Sequence, residues 1–491
     1  MSERRYFKGS RDGKRPHGGE PLARAAHDYD VVVVGSGLGG LTAANVLARL
    51  GHRVAVLEQH YNFGGLATWF KRRGGHVFDV SLHGFPHGML KTCRRHWGEA
   101  IASRLAPIDG VRFANPQFTL DTDFTCADYT RVLVELLGLE RARVEGFFRA
   151  IRAMDFAVDD GTTTAELFEA HFPGRNDVQR LLLEPIAYAN GSSLDDPAVS
   201  FGIVFANFMA RGIWTFRGGT DLLVRLMRAE LTRNGVALFN HVAVDRIVVE
   251  DGRVRGVLCG ERFVGARAVV SNAGLKPTVL ELVGRQALPA DYVAQVEAVR
   301  LNNSSCQVYM GLRAGESFPQ VCELLFTSTA ERFDSESLCD LRGASRTFSF
   351  YPPKVRDGEG HFAVVSSTNA RWSDWAELDE ATYEAEKRRL VEDTLACLEA
   401  HVPGIAARLE HVEASTPRTF RFYTRHWGGA SFGTKFEGLR PSFELPRLVE
   451  GLFHAGSVGI IMSGWLGAAN YGVIVGQKAD LFLGAGCPTT P

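Results

Sequence analysis

The sequence predicts an α/β protein built from two interleaved domains, and three observations support this prediction. An apolar strand at 31–34 runs into a glycine-rich turn at 35–40 and then into a helix-forming run at 41–50. A second apolar strand at 54–57 follows and ends at Glu58. Strand-like and helical stretches then continue along a chain of 491 residues, which is long enough to bury more than one core.

The glycine-rich turn has the pattern of a dinucleotide site. Gly35 permits a tight turn at the end of the strand, Gly37 lets backbone approach a pyrophosphate, and Gly40 lets the helix pack closely. The helix start offers free N–H groups and a partial positive charge to phosphates. Glu58 lies where a carboxylate accepts hydrogen bonds from ribose hydroxyls. The order strand, glycines, helix, strand and acid therefore predicts a bound dinucleotide, either NAD or FAD.

Composition narrows the class of protein. The hydrophobic fraction is 45%, the charged fraction is 23% and the net charge is -1, values typical of a soluble globular protein. A nearly neutral chain gives no indication of nucleic acid as a partner. The eight cysteines form no CxxC pair, and no Cys/His spacing suits zinc, so we expect free thiols, a cytoplasmic location and no metal site.

Residues 1–28 are predicted to form a flexible basic segment. Arg4 and Arg5 resemble part of a twin-arginine export signal, but no apolar stretch follows them, so export is not expected. A weak contact between this segment and anionic lipid stays open, and with it membrane association. No run of 18 apolar residues is present, so no membrane-spanning helix is expected.

Nucleotide-site patterns recur in three distant parts of the chain, which predicts a discontinuous domain. The predicted hairpin at Asp251-Gly252, between alternating β-branched residues, belongs to the middle part. We assign the nucleotide-binding domain to 29–105, 205–284 and 441–485. A substrate domain of mixed helices and strands takes 106–204 and 285–440, and 486–491 form a tail.

Five segments in this order resemble the phytoene desaturase branch of the FAD-dependent amine oxidase superfamily. They are GSGLGGLTAANVLARLGHRVAVLE (35–58), GG (64–65), GGHVFD (74–79), FRGGTDLL (216–223) and LFHAGS (452–457). The branch includes carotenoid desaturases, carotenoid cis–trans isomerases and retinol saturases. The resemblance covers 29–485 and implies a Rossmann-like FAD-binding domain with an inserted α+β substrate-binding domain.

The resemblance also implies which residues contact FAD. Covalent-flavin oxidases of the superfamily have a cysteine in the C-terminal region, whereas the nearest one here, Cys487, lies past the motif, so a noncovalent flavin is implied. The implied contacts are Gly35, Gly37, Gly39, Gly40, Glu58, Gly64, Gly65, Val244, Ala273 and Gly456.

One segment departs from the family pattern. Carotenoid desaturases often have a proline- and glycine-rich stretch after the Ala-Gly pair, whereas residues 457–472 read SVGIIMSGWLGAANYG. The bulky Ile460, Ile461, Met462 and Trp465 predict a reshaped pocket over the flavin and leave the substrate open.

Catalytic residues are not identified, because flavin chemistry needs little from side chains. The candidates are His83 and His87 for proton transfer or substrate contact, Arg425 for an anionic headgroup and Tyr471 for the pocket wall. For each, the alternative is a structural role through hydrogen bonding or packing. The aromatic stretch 201–216 predicts a buried helix, with a tunnel lining or a membrane contact as alternatives.

The sequence therefore predicts an FAD-dependent oxidoreductase that acts on a hydrophobic polyene or isoprenoid-like small molecule. It would desaturate, saturate or isomerise C=C bonds by hydride exchange with flavin N5. The alternatives are a flavin amine oxidase, with Trp465 and Tyr471 around the amine, and a non-catalytic prenyl-lipid carrier. The direction of electron flow, the electron acceptor and the oligomeric state stay open.

Overall fold

A computed structural model describes residues 21–158, 160–319, 322–356 and 360–485. Most of the predicted flexible segment, the predicted tail and Cys487 lie outside these ranges. Within them the strands are β1 (Asp28–Val34), β2 (Val54–Leu57), β3 (Trp69–Lys71), β4 (Val77–Asp79), β5 (Phe85–Pro86), β6 (Leu105–Pro107), β7 (Val111–Ala114), β8 (Thr119–Thr122), β9 (Ile213–Phe216), β10 (Ala237–Phe239), β11 (Arg246–Glu250), β12 (Arg253–Cys259), β13 (Arg262–Ser271), β14 (Ser304–Leu312), β15 (Leu324–Ser328), β16 (Ser345–Tyr351), β17 (Ala363–Ala370), β18 (Leu409–Ser415) and β19 (Leu452–His454).

The α-helices of the same ranges occupy both domains. They are α1 (Leu38–Arg49), α2 (Gly88–His96), α3 (Glu99–Ala102), α4 (Cys126–Arg131), α5 (Arg141–Arg152), α6 (Thr164–His171), α7 (Asn176–Asn190), α8 (Ala198–Met209), α9 (Gly219–Arg233), α10 (Leu275–Pro277), α11 (Ala290–Ala298), α12 (Ser373–Ala376), α13 (Glu380–His401), α14 (Pro417–Thr424), α15 (Leu439–Leu448) and α16 (Gly464–Ala485). None of these helices is both long enough and apolar enough to cross a membrane.

The first sheet has the strand order β10-β2-β1-β13-β12-β11, and β19 pairs with the end of β13. Strands β10, β2, β1, β13 and β19 are parallel, and Val32 of β1 lies between Ala55 and Val269. Val31–Val34 of β1 and the whole of β2 are continuous buried apolar runs, as expected for parallel strands that are covered on both faces. Asp251 and Gly252, both with positive φ, close the hairpin between β11 and β12 as predicted.

The second sheet has the order β18-β14-β17-β16-β15-β7-β8. On one face, Val308 and Met310 of β14 pack in a core with Val391 and Leu398 of α13. Near β7 and β15, the other face packs against α5 to α8 in an aromatic-rich core. The two sheets and their helices confirm the predicted α/β fold with an added α+β part.

The division into domains stays a prediction. The proposed boundaries at 105/106 and 204/205 fall inside β6 and α8. Helix α8 packs with the aromatic-rich core and not with the first sheet.

Helices α1 and α16 lie against each other, and Gly472 of α16 contacts the backbone of Gly39. We expect Gly472→Ala to lower the free energy of unfolding by about 1–3 kcal/mol, because the added Cβ would collide with the Gly39 backbone. Gly484→Ala on the same helix is the matched control, since its Cβ would meet open space. It should leave stability unchanged or raise it by up to about 1 kcal/mol. Thermal unfolding of both variants tests this, and equal effects would contradict it.

Candidate functional site

A cavity of about 820 Å³ extends from the glycine turn after β1 to the second sheet and to α7 and α8. Most of the predicted cofactor contacts line it. Two do not, because Gly40 faces the backbone of Gly35 and Gly456 faces the carbonyl of Ala273, where a side chain would collide. The predicted residues that line the cavity are Gly35, Gly37, Gly39, Glu58, Gly64, Gly65, Val244 and Ala273.

Two glycine segments meet at the start of α1. Gly35 has φ +89°, Gly64 has φ +112° and Gly65 has φ +62°, a region that favours glycine. A Cβ at Gly65 would lie 2.8 Å from the Gly37 Cα, so the two backbones touch. Gly37 caps α1 without a side-chain hydrogen bond, which leaves the first N–H groups of the helix directed toward the cavity. This arrangement suits a phosphate group.

The carboxylate of Glu58 is held at the cavity wall by neutral donors. Its Oε2 accepts from Ser36 N at 2.8 Å and from Ser36 Oγ at 2.6 Å, and its Oε1 accepts from His60 N at 2.7 Å. Burial raises the pKa of Glu58, while the hydrogen bonds from Ser36 and His60 oppose the rise. A carboxylate has about four lone-pair sites and three of them accept these bonds, so Glu58 can still accept one ribose hydroxyl.

Asn272, directly after β13, is a cavity residue that sequence reasoning missed. Its Nδ2 donates to the carbonyl of Ala455 at 2.6 Å, and a Cβ at Gly37 would collide with its Oδ1. Asn272 reaches the cavity because β13 runs parallel to β1 and the carboxyl ends of parallel strands meet at one edge of the sheet.

The unusual 457–472 segment contributes to the same cavity. Ile460, Ile461 and Met462 line it, and Ile460 adopts φ +61°, which is rare for a β-branched residue. Trp465 also lines it, stacks on Phe85 with ring centroids 5.2 Å apart and donates to an oxygen of Ser81 at 3.1 Å. Bulky side chains therefore form part of the wall where the family pattern has small ones.

Polar residues on alternate positions of the second sheet form another wall. The set is Ser305, Gln307 and Tyr309 of β14, Thr347 of β16, and Ser367 and Asn369 of β17. The period of two in the fully buried strand β14 was the available signal, because successive side chains of a strand point to opposite faces.

His83 lines the cavity and is hydrogen-bonded on both ring nitrogens. Its Nδ1 lies 2.9 Å from Ser349 Oγ, and its Nε2 lies 3.1 Å from Gln307 Nε2. Burial lowers the pKa of His83 to about 4. The imidazole is therefore neutral at pH 7, and its role in proton transfer or substrate contact stays a prediction.

The other catalytic candidates differ in position. Arg425 lines the cavity at the end of α14. His87 lies outside the cavity wall, with its ring 4.8 Å from that of Trp214. Tyr471 is also outside it, because its ring is buried and its hydroxyl bonds to Ser442 Oγ at 2.5 Å. The roles predicted for these three residues stay predictions.

The part of the cavity formed by α7 and α8 is mainly apolar. The stretch 201–216 folds as α8 and β9, and α8 has one face in the aromatic core and another on the cavity. It is thus both a buried helix and a cavity lining. The apolar lining residues of this part are Phe124, Phe156, Pro185, Ile186, Ile203, Val204, Phe208, Leu324 and Phe326.

Known proteins resemble the chain over most of its length. Residues 38–456 match the family described as flavin containing amine oxidoreductase. All-trans-retinol 13,14-reductase of Danio rerio is 25% identical over 86% of this chain and 80% of its own. Prolycopene isomerase 2 of an Oncidium hybrid cultivar is 24% identical over 81% of this chain and 74% of its own length. The structure of cyclohexylamine oxidase from Brevibacterium oxydans superposes with a TM-score of 0.64 at 16% identity, over 93% of this chain and 99% of that one.

Two histidines with a lowered pKa predict a loss of stability in acid. Burial lowers the pKa of His454 to about 4, as it does for His83. Because the unfolded chain has histidines with a pKa of about 6.5, it binds more protons than the folded chain below that pH. Each histidine should therefore cost about 3 kcal/mol of stability as the pH falls from 7 to 4.

We expect His454→Gln to lose less stability than the wild type between pH 7 and pH 4. Urea unfolding at several pH values measures this difference, and His27→Gln, at an exposed position, is the control. A pH dependence that is identical in all three proteins would contradict the expectation.

Proposed function

Because the chain belongs to the flavin containing amine oxidoreductase family, we propose that it binds FAD noncovalently and reacts with a hydrophobic polyene or isoprenoid-like substrate. The proposed reaction is the desaturation, saturation or isomerisation of C=C bonds. FAD, when bound, supplies a hydride acceptor or donor at N5. The observation that carries the proposal is one continuous cavity that joins the glycine turn to an uncharged apolar region.

Support for FAD comes from the fit of the glycine turn to a dinucleotide. The start of α1 with Gly35 and Gly37 would hold the pyrophosphate, and Glu58 would hold the adenosine ribose. Gly64 and Gly65 let a second backbone segment lie directly against this turn, because side chains there would collide with their neighbours. The noncovalent linkage is proposed from the resemblance to the family and the position of Cys487.

Support for an apolar substrate comes from the walls beyond the glycine turn. Every cavity residue on α7, α8, β14, β16 and β17 is uncharged. Hydroxyl and amide groups face apolar residues such as Ile186 and Phe208 across these elements. Such a cavity favours a long apolar molecule, which can be oriented by neutral hydrogen bonds. All-trans-retinol and prolycopene, named for two relatives, are molecules of this class and serve as test compounds.

The side chains would position the substrate and exclude water. Trp465 and Ile460 narrow the cavity with apolar surface. His83 and Gln307 form a neutral hydrogen-bonding pair in its wall. An amine oxidase is less well supported, because Tyr471, one of two aromatic residues expected around an amine, lies outside the cavity. A carrier without nucleotide is also less well supported, since Gly35, Gly37 and Glu58 line the cavity.

The first test concerns the cofactor. We expect the purified protein to be yellow and to release its FAD on acid denaturation. No flavin should remain attached to the denatured chain. Glu58→Gln should weaken FAD binding by about 10–150-fold, because a charged hydrogen bond contributes about 1.5–3 kcal/mol. Glu384→Gln, which changes a cavity carboxylate on α13, should bind FAD like the wild type. A colourless protein that gains no flavin spectrum with FAD would refute the proposal.

The second test concerns the substrate. Val204→Trp on α8 fills the apolar part of the cavity and should abolish turnover of an accepted polyene while FAD content is unchanged. Ala210→Trp, at the exposed end of the same helix, is the control. Anaerobic mixing with retinol or prolycopene, followed by flavin absorbance and product mass, measures the effect. Peroxide release with amines, and no reaction with polyenes, would establish the amine oxidase alternative instead.

A further inference from the structure

Three potential metal ligands from separate parts of the chain meet beside the second sheet. His76 lies in the turn between β3 and β4, His361 precedes β17, and Glu410 lies on β18. One ligand atom from each falls within 4.8 Å of the other two. None of the three lines the flavin-site cavity, so they form a separate cluster.

The hydrogen bonds around the cluster determine which nitrogen atoms are available. His361 Nδ1 lies 3.0 Å from the carbonyl of Leu312, which can only accept, so Nδ1 carries the proton and Nε2 has the free lone pair. His76 Nε2–H donates to Glu410 Oε2 at 3.2 Å, so an ion that binds both atoms would replace this proton. Its Nδ1 faces the Gly311 backbone so closely that an added Cβ would collide with it, and no ion fits there. Both histidines therefore offer Nε2.

We propose that His76, His361 and Glu410 bind one divalent zinc-type ion. Two imidazole nitrogens and one carboxylate oxygen suit zinc, and water completes the fourth position. Tetrahedral ligands about 2.1 Å from zinc lie about 3.4 Å apart, so the observed separations need only small side-chain rotations. His76 is 1% exposed and Glu410 is 46% exposed, which gives an ion access from solvent to a partly buried ligand set.

The neighbouring charges are compatible with a cation. Glu413 bonds to Arg72 and to His411, so its charge is already paired. The ring of His411 lies 5.8 Å from that of His76, and its Nε2 pairs with Glu413 and not with Glu410. Glu410 is then the carboxylate of the cluster that is left to balance an ion.

The site would join two parts of the fold. The β3–β4 hairpin contributes Trp69 and Phe70 to the cavity wall, whereas β17 and β18 belong to the second sheet. An ion held by all three segments binds the folded chain and not the unfolded chain, so it stabilises this junction. The proposal does not depend on the proposed reaction.

The site is tested by measuring zinc binding to the FAD-loaded chain. The chain is purified without a histidine tag and is first treated with a chelator. Calorimetry should give one equivalent of tight binding, and zinc should raise Tm. Glu410→Gln and His361→Gln, at partly exposed positions, should each weaken zinc binding by at least about tenfold, since loss of an outer partner alone costs about 10–100-fold. X-ray absorption should show nitrogen and oxygen ligands without sulfur.

His52→Gln is the matched control, because His52 and Asp480 form a similar pair at 2.7 Å with no third ligand among the described residues. This variant should bind zinc like the wild type. The proposal is overturned if the wild type binds no zinc, if Glu410→Gln and His361→Gln bind it normally, or if sulfur ligands appear. Zinc binding that survives the loss of flavin does not bear on the proposed reaction, so the two proposals fail separately.

Discussion

The contact of glycine backbones at the start of α1 is the constraint on which the rest of the structure depends. Gly37 touches Gly65 on one side, and Gly39 touches Gly472 of α16 on the other. Residues far apart in sequence thus converge where β1 ends. A side chain at any of these positions would separate the segments and remove the surface on which a dinucleotide can lie.

The part of the cavity lined by α7, α8, β14, β16 and β17 relies on neutral hydrogen bonding. His83, Gln307 and Ser349 satisfy one another, and burial keeps the imidazole uncharged. A second chain behind the cavity wall links Tyr471, Ser442 and His454 to the carbonyl of Ala273. Both networks fix polar groups without introducing charge into an apolar space, where an unpaired charge would be costly.

Local patterns predicted the parts of the fold that local chemistry determines. The β1–turn–α1–β2 unit and the Asp251-Gly252 hairpin are correct, because glycine conformation and apolar periodicity specify them within a few residues. The position of Tyr471 outside the cavity could not be predicted, because a helical pattern does not reveal which face of α16 meets the cavity. Asn272 and the polar face of β14 were missed, since their positions depend on strand pairing between distant segments. The sequence also could not predict that His76, His361 and Glu410 lie together. His76 and His361 are 285 residues apart, and His361 and Glu410 are 49 residues apart.

The pairing of β1 with β13 and of β13 with β19 has a consequence for biosynthesis. The first sheet joins residues near 32, 269 and 452, so it cannot be completed until almost the whole chain has left the ribosome. At about 5–20 residues per second, the β1–α1–β2 unit waits on the order of a minute for its last partners. During that time the apolar faces that α16 later covers are open to other chains. Newly made protein should therefore need chaperones most before β19 emerges.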